Sequence, residues 1–178
     1  KMRMMPLMGD VLQKHGMSVI FVPGGEIMPN LNRGVLDAAE YSIPAFDKTL
    51  GIWEICKYVM LPGIHQPGTQ IELLVNKDAY AALPDDLKKA LEAAVAKSRL
   101  DEWLWMESKN IAAVEFLKNN GVEFVTMDPE TVSTLVQWAD EYLDERSAAD
   151  PTFAKVWNSQ KEFAKKWYPY NKLYTLPH

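Results

Sequence analysis

An α/β fold is predicted by three features of the chain. Short β-rich runs alternate with helix-like runs through the first 80 residues, the pattern of strands laid side by side with helices returning between them. A helical periodicity then runs unbroken from Pro84 to about Asn120. Finally, 48% apolar and 24% charged residues are the proportions of a packed globular protein.

The elements follow in order. Residues 2–5 form a brief apolar run, and residues 9–15 read as a helix closed by Gly16 in a left-handed cap. Residues 17–22, Met-Ser-Val-Ile-Phe-Val, read as a buried strand. Pro23-Gly24-Gly25 turns the chain into a helix over 26–33, which Gly34 closes, and residues 35–41 return as a strand. Residues 43–54 read as helical, 57–61 as extended and 69–75 as a further strand. Pro84 in a first turn, with Asp85 and Asp86 at the positive end of the helix dipole, marks a strong helix start. A helix of roughly 35 residues is about 50 Å long, so it spans two lobes or bends. Residues 122–127 form a short strand, Asp128-Pro129 starts a helix to about residue 148, and Asp150-Pro151 starts the last one.

Bulk properties exclude some roles. Nineteen basic against twenty-four acidic residues give a net charge of −5, and no basic run offsets it, so a phosphate backbone is repelled. No apolar stretch approaches the ~20 residues that cross a bilayer, so the chain is not expected to be membrane-embedded. Cys56, the single cysteine, sits among apolar neighbours and reads as an inert buried thiol. The chain opens at Lys1-Met2-Arg3 as if in mid-strand, so an upstream half and a leader are expected to precede it. There is no nucleophile elbow, phosphate loop or His-Glu-x-x-His, and His15, His65 and His178 are scattered.

Four places carry candidate chemistry. Arg3, flanked by methionines, is either an edge-strand residue facing water or a fork that grips a carboxylate through two parallel hydrogen bonds. Pro23-Gly24-Gly25 either makes a tight turn or lets backbone N–H groups approach an anion. Glu40 beside Tyr41 is either a solvated strand-end acid or a cleft residue that offers oxygen to a cation. His65-Gln66 admits the same two readings. Trp103, Trp105 and Met106 read as packing. The cluster Trp157, Phe163, Trp167, Tyr168, Tyr170 and Tyr174 has too many rings for an exposed tail and suggests a docking helix.

In order, Lys1-Met2-Arg3, Pro23-Gly-Gly-Glu26, the run from Leu31 to Tyr41, Pro62-Gly-Ile-His-Gln-Pro-Gly68, Leu73-Leu-Val-Asn-Lys77 and Leu83-Pro-Asp-Asp-Leu87 form a specific series. The chain resembles the solute-binding protein of tripartite ATP-independent periplasmic (TRAP) transporters, in the branch associated with 2-oxo acids, lactate and mannitol or chloroaromatic compounds. The resemblance covers residues 1 to about 127, and more loosely the C-terminal helices.

It implies a periplasmic-binding-protein-like fold, with two lobes, mixed sheets and a long bridging helix, of which this chain is a C-terminal portion. The implied organisation is second-lobe strands and helices over 1–42, a segment crossing to the first lobe over 43–83, the bridging helix over 84–120, a strand and helix over 121–150, and an aromatic dimerisation helix over 151–178. It further implies a periplasmic, non-enzymatic protein that captures a small organic-acid anion and delivers it to membrane permease subunits. Arg3 matches the family's carboxylate clamp, and Pro23 and Gly24 match pocket-lining positions. His65 is a further candidate for a lining residue. Glu40 and Tyr41 match a Glu-Trp pair that helps to hold a cation beside the ligand, and Gln66 falls where an acid is often found. Tyr41 in place of Trp changes the pocket, and Gln66 removes a negative charge, so sodium or no metal is favoured over calcium. The rival readings are a small α/β enzyme using Glu40 or His65 as a base, and a helical interaction module built on the aromatic tail.

Overall fold

The computed structural model describes residues 1–66 and 72–175. The chain divides into two units, Lys1–Met127 and Asp128–His178.

In the first unit, β1 (Met2–Arg3) is the centre of a three-stranded parallel sheet, flanked by β2 (Val19–Ile20) and β3 (Ala38–Ala39). Arg3 is in register with Ile20 on one side and Ala39 on the other. Parallel neighbours require crossovers. Helix α1 (Pro6–Lys14) joins β1 to β2, and α2 (Gly24–Asn32) joins β2 to β3. Gly16 and Gly34 close these helices with φ of 83° and 67°, a region that L side chains avoid. Met8, Val11 and Leu12 of α1 are buried with Met4 and Val19. On α2, Ile27 and Leu31 lie four residues apart on one face, and with Leu36 they form the core that Ile20, Val22, Tyr41, Ile55 and Cys56 pack against. Cys56 is half-buried rather than fully enclosed, and that burial raises its thiol above the ordinary pKa, which disfavours the nucleophilic thiolate.

The helix expected over 43–54 is divided. Pro44 starts α3 (Pro44–Leu50), Gly51 ends it at φ 82°, and a 3₁₀ turn follows at Ile52–Glu54. The interruption is a backbone effect, because a left-handed residue terminates the α-helical hydrogen-bond ladder. Strand β4 (Tyr58–Leu61) pairs in parallel with β5 (Glu123–Thr126). The strand expected over 69–75 falls partly on 67–71, outside the described residues. Residues 72–76 have no regular structure, and Leu73, Leu74 and Val75 are exposed. The short helix α4 (Lys77–Ala81), absent from the sequence reading, is nucleated by Asn76, whose side chain accepts from the N–H groups of Asp78 and Ala79.

The long helix forms without interruption as α5 (Asp85–Asn119), 35 residues with Asp85 and Asp86 in its first turn. Its C-terminal third is anchored to α3 and to the 3₁₀ turn after it. Asn110 Oδ1 accepts from the Ala45 N–H at 3.2 Å, Lys48 Nζ lies 4.2 Å from the centre of the Phe116 ring, and Trp53 meets Phe116 edge-on at 5.2 Å.

The second unit is a pair of helices, α6 (Pro129–Ala149) and α7 (Pro151–Tyr174). Asp128 and Asp150 are their N-caps, each accepting backbone N–H groups of the first turn. The pair is tied by Asp144, which accepts 2.6 Å hydrogen bonds from both Trp157 Nε1 and Lys161 Nζ. No described helix is long and apolar enough to cross a membrane.

Candidate functional site

The carboxyl ends of parallel strands are where open α/β sheets gather ligands, because the chain turns away there and leaves a crevice. Arg3 stands at that end of the central strand. Backbone pairing fixes its surroundings: the Glu40 N–H donates to the Arg3 carbonyl at 3.0 Å and the Met4 N–H to the Ile20 carbonyl at 3.1 Å. The residues just beyond β2 and β3, Val22 and Glu40, therefore come to either side of the Arg3 side chain.

Arg3 is 4% exposed, so its charge is almost wholly removed from water. Its Nε donates to the Val22 carbonyl at 3.1 Å. Its Nη1 donates twice to Glu40, to the backbone carbonyl and to Oε2, the latter at 2.8 Å. Its Nη2 meets the Met5 thioether at 3.4 Å, a weak acceptor for a guanidinium. The Phe21 ring lies 5.3 Å from Cζ. The edge-strand reading of Arg3 is thereby excluded. A buried cation this dry needs strong anionic partners.

Glu40 is the hub. Its side chain is 14% exposed; Oε2 accepts from Arg3 and, at 3.3 Å, from the Met5 N–H, while Oε1 lies 3.4 Å from His65 Nε2. Arg3, Glu40 and His65, separated widely in sequence, are thus one cluster.

Gly24 and Tyr41 form a second contact beside it. A Cβ on Gly24 would sit 2.8 Å from Tyr41 Cε2, so only glycine lets the first turn of α2 approach the ring. Pro23, the N-cap of α2, is exposed, as is Gln66 next to His65.

Several participants were not legible beforehand. Met5 meets the guanidinium through its thioether, Val22 through its backbone carbonyl and Phe21 through its ring, contacts that no sequence motif advertises. Asp47 is the other. One of its carboxyl oxygens accepts from the Ser42 N–H, and Oδ1 is buried with no hydrogen-bond partner among the described residues. Burial pushes its pKa up to about 6, and the negative charge of Glu40 adds to the rise. An Asp in the first turn of α3 reads in sequence as a simple dipole-complementing residue, which hides its burial.

The family of bacterial extracellular solute-binding proteins, family 7 (DctP), matches residues 1–150. The chain belongs to that family. Members are binding components of transporters and not enzymes, and they work in the periplasm. A monocarboxylate 2-oxoacid-binding periplasmic protein of Nostoc sp. strain PCC 7120 is 29% identical over 99% of this chain and 48% of its own length. A TRAP transporter solute-binding protein from Bordetella bronchiseptica, solved as a dimer with calcium and picolinate in one site, superposes with a TM-score of 0.91 at 27% identity, covering 97% of this chain and 51% of that one. A TRAP solute-binding protein from Pseudoalteromonas atlantica with bound sodium and pyruvate gives 0.80 at 27% identity, covering 99% of this chain and 56% of that one. The chain therefore spans about half the length of the relatives it matches. These likenesses carry the α/β, periplasmic-binding-protein-like fold expected from the sequence.

Of these two solved relatives, one holds calcium and picolinate and the other sodium and pyruvate. Among the described residues of this chain, no group of three or more His, Cys, Asp or Glu side chains gathers to hold a metal. The expected donors are the Glu40 carboxylate, the Tyr41 carbonyl and the Gln66 amide. They are all oxygen and carry one negative charge, a set that suits a hard cation of low charge.

Proposed function

We propose that the protein carrying this chain captures a small 2-oxo or 2-hydroxy monocarboxylate in the periplasm and delivers it to the membrane permease of a TRAP transporter. Arg3 pairs with the ligand carboxylate, and Pro23, Gly24, Tyr41, His65 and Gln66 line the pocket around it. The observation that carries this reading is the buried guanidinium at the carboxyl ends of three parallel strands, with its Nη2 turned to a thioether instead of an oxygen. A ligand carboxylate supplies the missing acceptor.

Closure of two lobes around the bound acid excludes water and strengthens the pair. Residues 43–83 cross to the first lobe in this scheme, and α5 bridges the two. A sodium ion, in preference to calcium, is held by Glu40, the Tyr41 carbonyl and Gln66. It supplies positive charge next to the ligand oxygens. The second unit makes a homodimer through α7.

The test is isothermal titration of the full-length protein with pyruvate and lactate. Arg3→Ala is expected to weaken binding by about 3 kcal/mol, the cost of stranding a desolvated carboxylate, or roughly 100-fold. Unchanged affinity would remove Arg3 from the site. Turnover of either acid would favour an enzyme instead.

A further inference from the structure

The donor inventory of Arg3 conflicts with simple bidentate capture. A guanidinium has five N–H groups. Nε is spent on the Val22 carbonyl, and both Nη1 hydrogens are spent on Glu40, one on its carbonyl and one on Oε2. A carboxylate that engages the Nη1–Nη2 edge with two parallel bonds needs one hydrogen from each nitrogen. Nη2 can supply its share by leaving the Met5 sulfur, but Nη1 has none to spare.

Something must yield. The Val22 carbonyl cannot, because Val22 packs on the core just beyond β2. The Glu40 carbonyl is backbone held from both sides, by the Glu40 N–H bond to the Arg3 carbonyl at 3.0 Å and by Tyr41 packed on the core, so it is harder to move than a side chain. The Glu40 carboxylate can yield, since it is a side chain with rotatable bonds. Its other oxygen already faces His65 at 3.4 Å, which gives it a polar place to go.

We propose that Glu40 is a built-in competitor for the ligand, a carboxylate that occupies half of the Arg3 fork and must be displaced from Nη1 before an organic acid binds in bidentate fashion. This inference rests on the reading of Arg3 as the carboxylate clamp. Two consequences follow. A ligand that offers two parallel oxygens replaces what Glu40 gives up, whereas a monatomic anion does not, so the competitor sharpens selection for carboxylates. A cation that engages the Glu40 carboxylate lowers its hold on Arg3, so cation and acid bind with mutual enhancement, and the coupling is reciprocal.

The experiment titrates pyruvate into the full-length protein in sodium-free, chelator-treated buffer, then repeats the titration with sodium chloride and with calcium chloride. Glu40→Gln is the main variant, with Arg3→Ala as the control. Glu40→Gln is expected to bind pyruvate about tenfold more tightly than the parent without cation, the scale of coupling between close charge pairs. The gain that the parent shows on adding cation should shrink in the variant. In thermal melts the ligand-free variant should unfold at lower temperature, because Arg3 has lost its counter-charge, while the pyruvate-induced rise should be larger. Equal or weaker pyruvate binding by Glu40→Gln in cation-free buffer would overturn the proposal. If that variant fails to fold, Glu40→Asp decides the matter, since it keeps the charge but draws it back from Nη1. A modest gain in affinity supports competition, and no gain or a loss refutes it. The two readings separate cleanly: retained binding by Arg3→Ala defeats the clamp itself, whereas loss in Arg3→Ala without gain at Glu40 defeats only the competitor.

Discussion

Asp47 carries a titration that folding itself creates. Its pKa is pushed from 3.8 to about 6, first by burial and then by the charge of Glu40, with the Ser42 N–H acting in the opposite direction. An acid whose folded pKa is raised holds its proton more tightly in the native state than in the unfolded chain. Between about pH 4 and 6 the native state therefore binds the extra proton, and stability falls as pH rises through that window. At 1.4 kcal/mol per pKa unit the loss is at most about 3 kcal/mol. Asp47→Asn keeps an acceptor for the Ser42 N–H and never ionises. Urea unfolding at pH 4, 5, 6 and 7 should show the variant gaining on the parent as pH rises, with little difference at pH 4. Parallel stability curves would show that Asp47 is not held in its neutral form. The contrast between Asp47 and Arg3 shows what a sequence discloses about a site. A guanidinium inside a methionine-rich run is an anomaly that demands an explanation, whereas an aspartate in a first helical turn satisfies a local rule and draws no notice. Glu40 and His65 were separable candidates in the sequence; their 3.4 Å approach depends on where β3 and the segment after β4 end, and only the fold supplies that.

Helix α2 and the segment after β3 are locked together where Gly24 meets Tyr41. The ring is packed against the core of Ile27, Leu31 and Leu36, so it cannot swing freely out of the way of a new Cβ. Gly24→Ala is expected to cost about 1–3 kcal/mol, the usual penalty of overpacking. If Tyr41 lines the pocket as proposed above, the substitution should also shift the relative affinity for acids of different bulk. Combining it with Tyr41→Val, which removes the clashing ring edge, should cost less than the sum of the single changes in a double-mutant cycle. Strict additivity would mean that the two residues do not press on each other. Most elements at this scale are visible in the sequence, since left-handed glycines and proline-led helix starts act locally: Gly16, Gly34 and Gly121 all stand at positive φ where the helices stop. The failures share one cause, a local feature outweighing a longer pattern. Gly51 divides an apolar stretch that reads as a single helix. Asn76 starts a helix of five residues, too short to leave a periodic trace. The apolar triplet Leu73-Leu74-Val75 reads as a strand, yet it is exposed and without regular structure, because β-propensity alone makes no strand where no ladder is in reach.

Across the whole molecule, the proposed capture site and the aromatic helix belong to different units, and this separates their roles experimentally. Arg3, Glu40 and His65 all lie in Lys1–Met127, whereas α7 lies in Asp128–His178. The first half of α7 is committed to α6: Trp157 and Lys161 bond Asp144, and Arg146 stacks 5.1 Å from the Phe153 ring. Beyond Lys161 the pattern changes. Phe163, Trp167, Tyr170 and Tyr174 recur at spacings of four, three and four, which places them along one stripe of the helix. Their rings follow one another at 5.8, 5.6 and 4.9 Å, and the residues stay 44–73% exposed. A contiguous aromatic face of this kind is costly to leave in water and suits an interface in which rings from two copies interdigitate. The homodimer proposed above covers it. Replacing Trp167 and Tyr170 together by Ser removes the middle of the stripe and spares Asp144 and its partners, so α7 should remain folded on α6. Analytical ultracentrifugation of the full-length protein should then show the mass fall from dimer to monomer. Pyruvate affinity should stay unchanged, because no residue of the Arg3 cluster is altered. A mass that stays at the dimer value would move the interface off this stripe. A parent protein that is already monomeric would remove the dimer altogether while leaving the capture site standing.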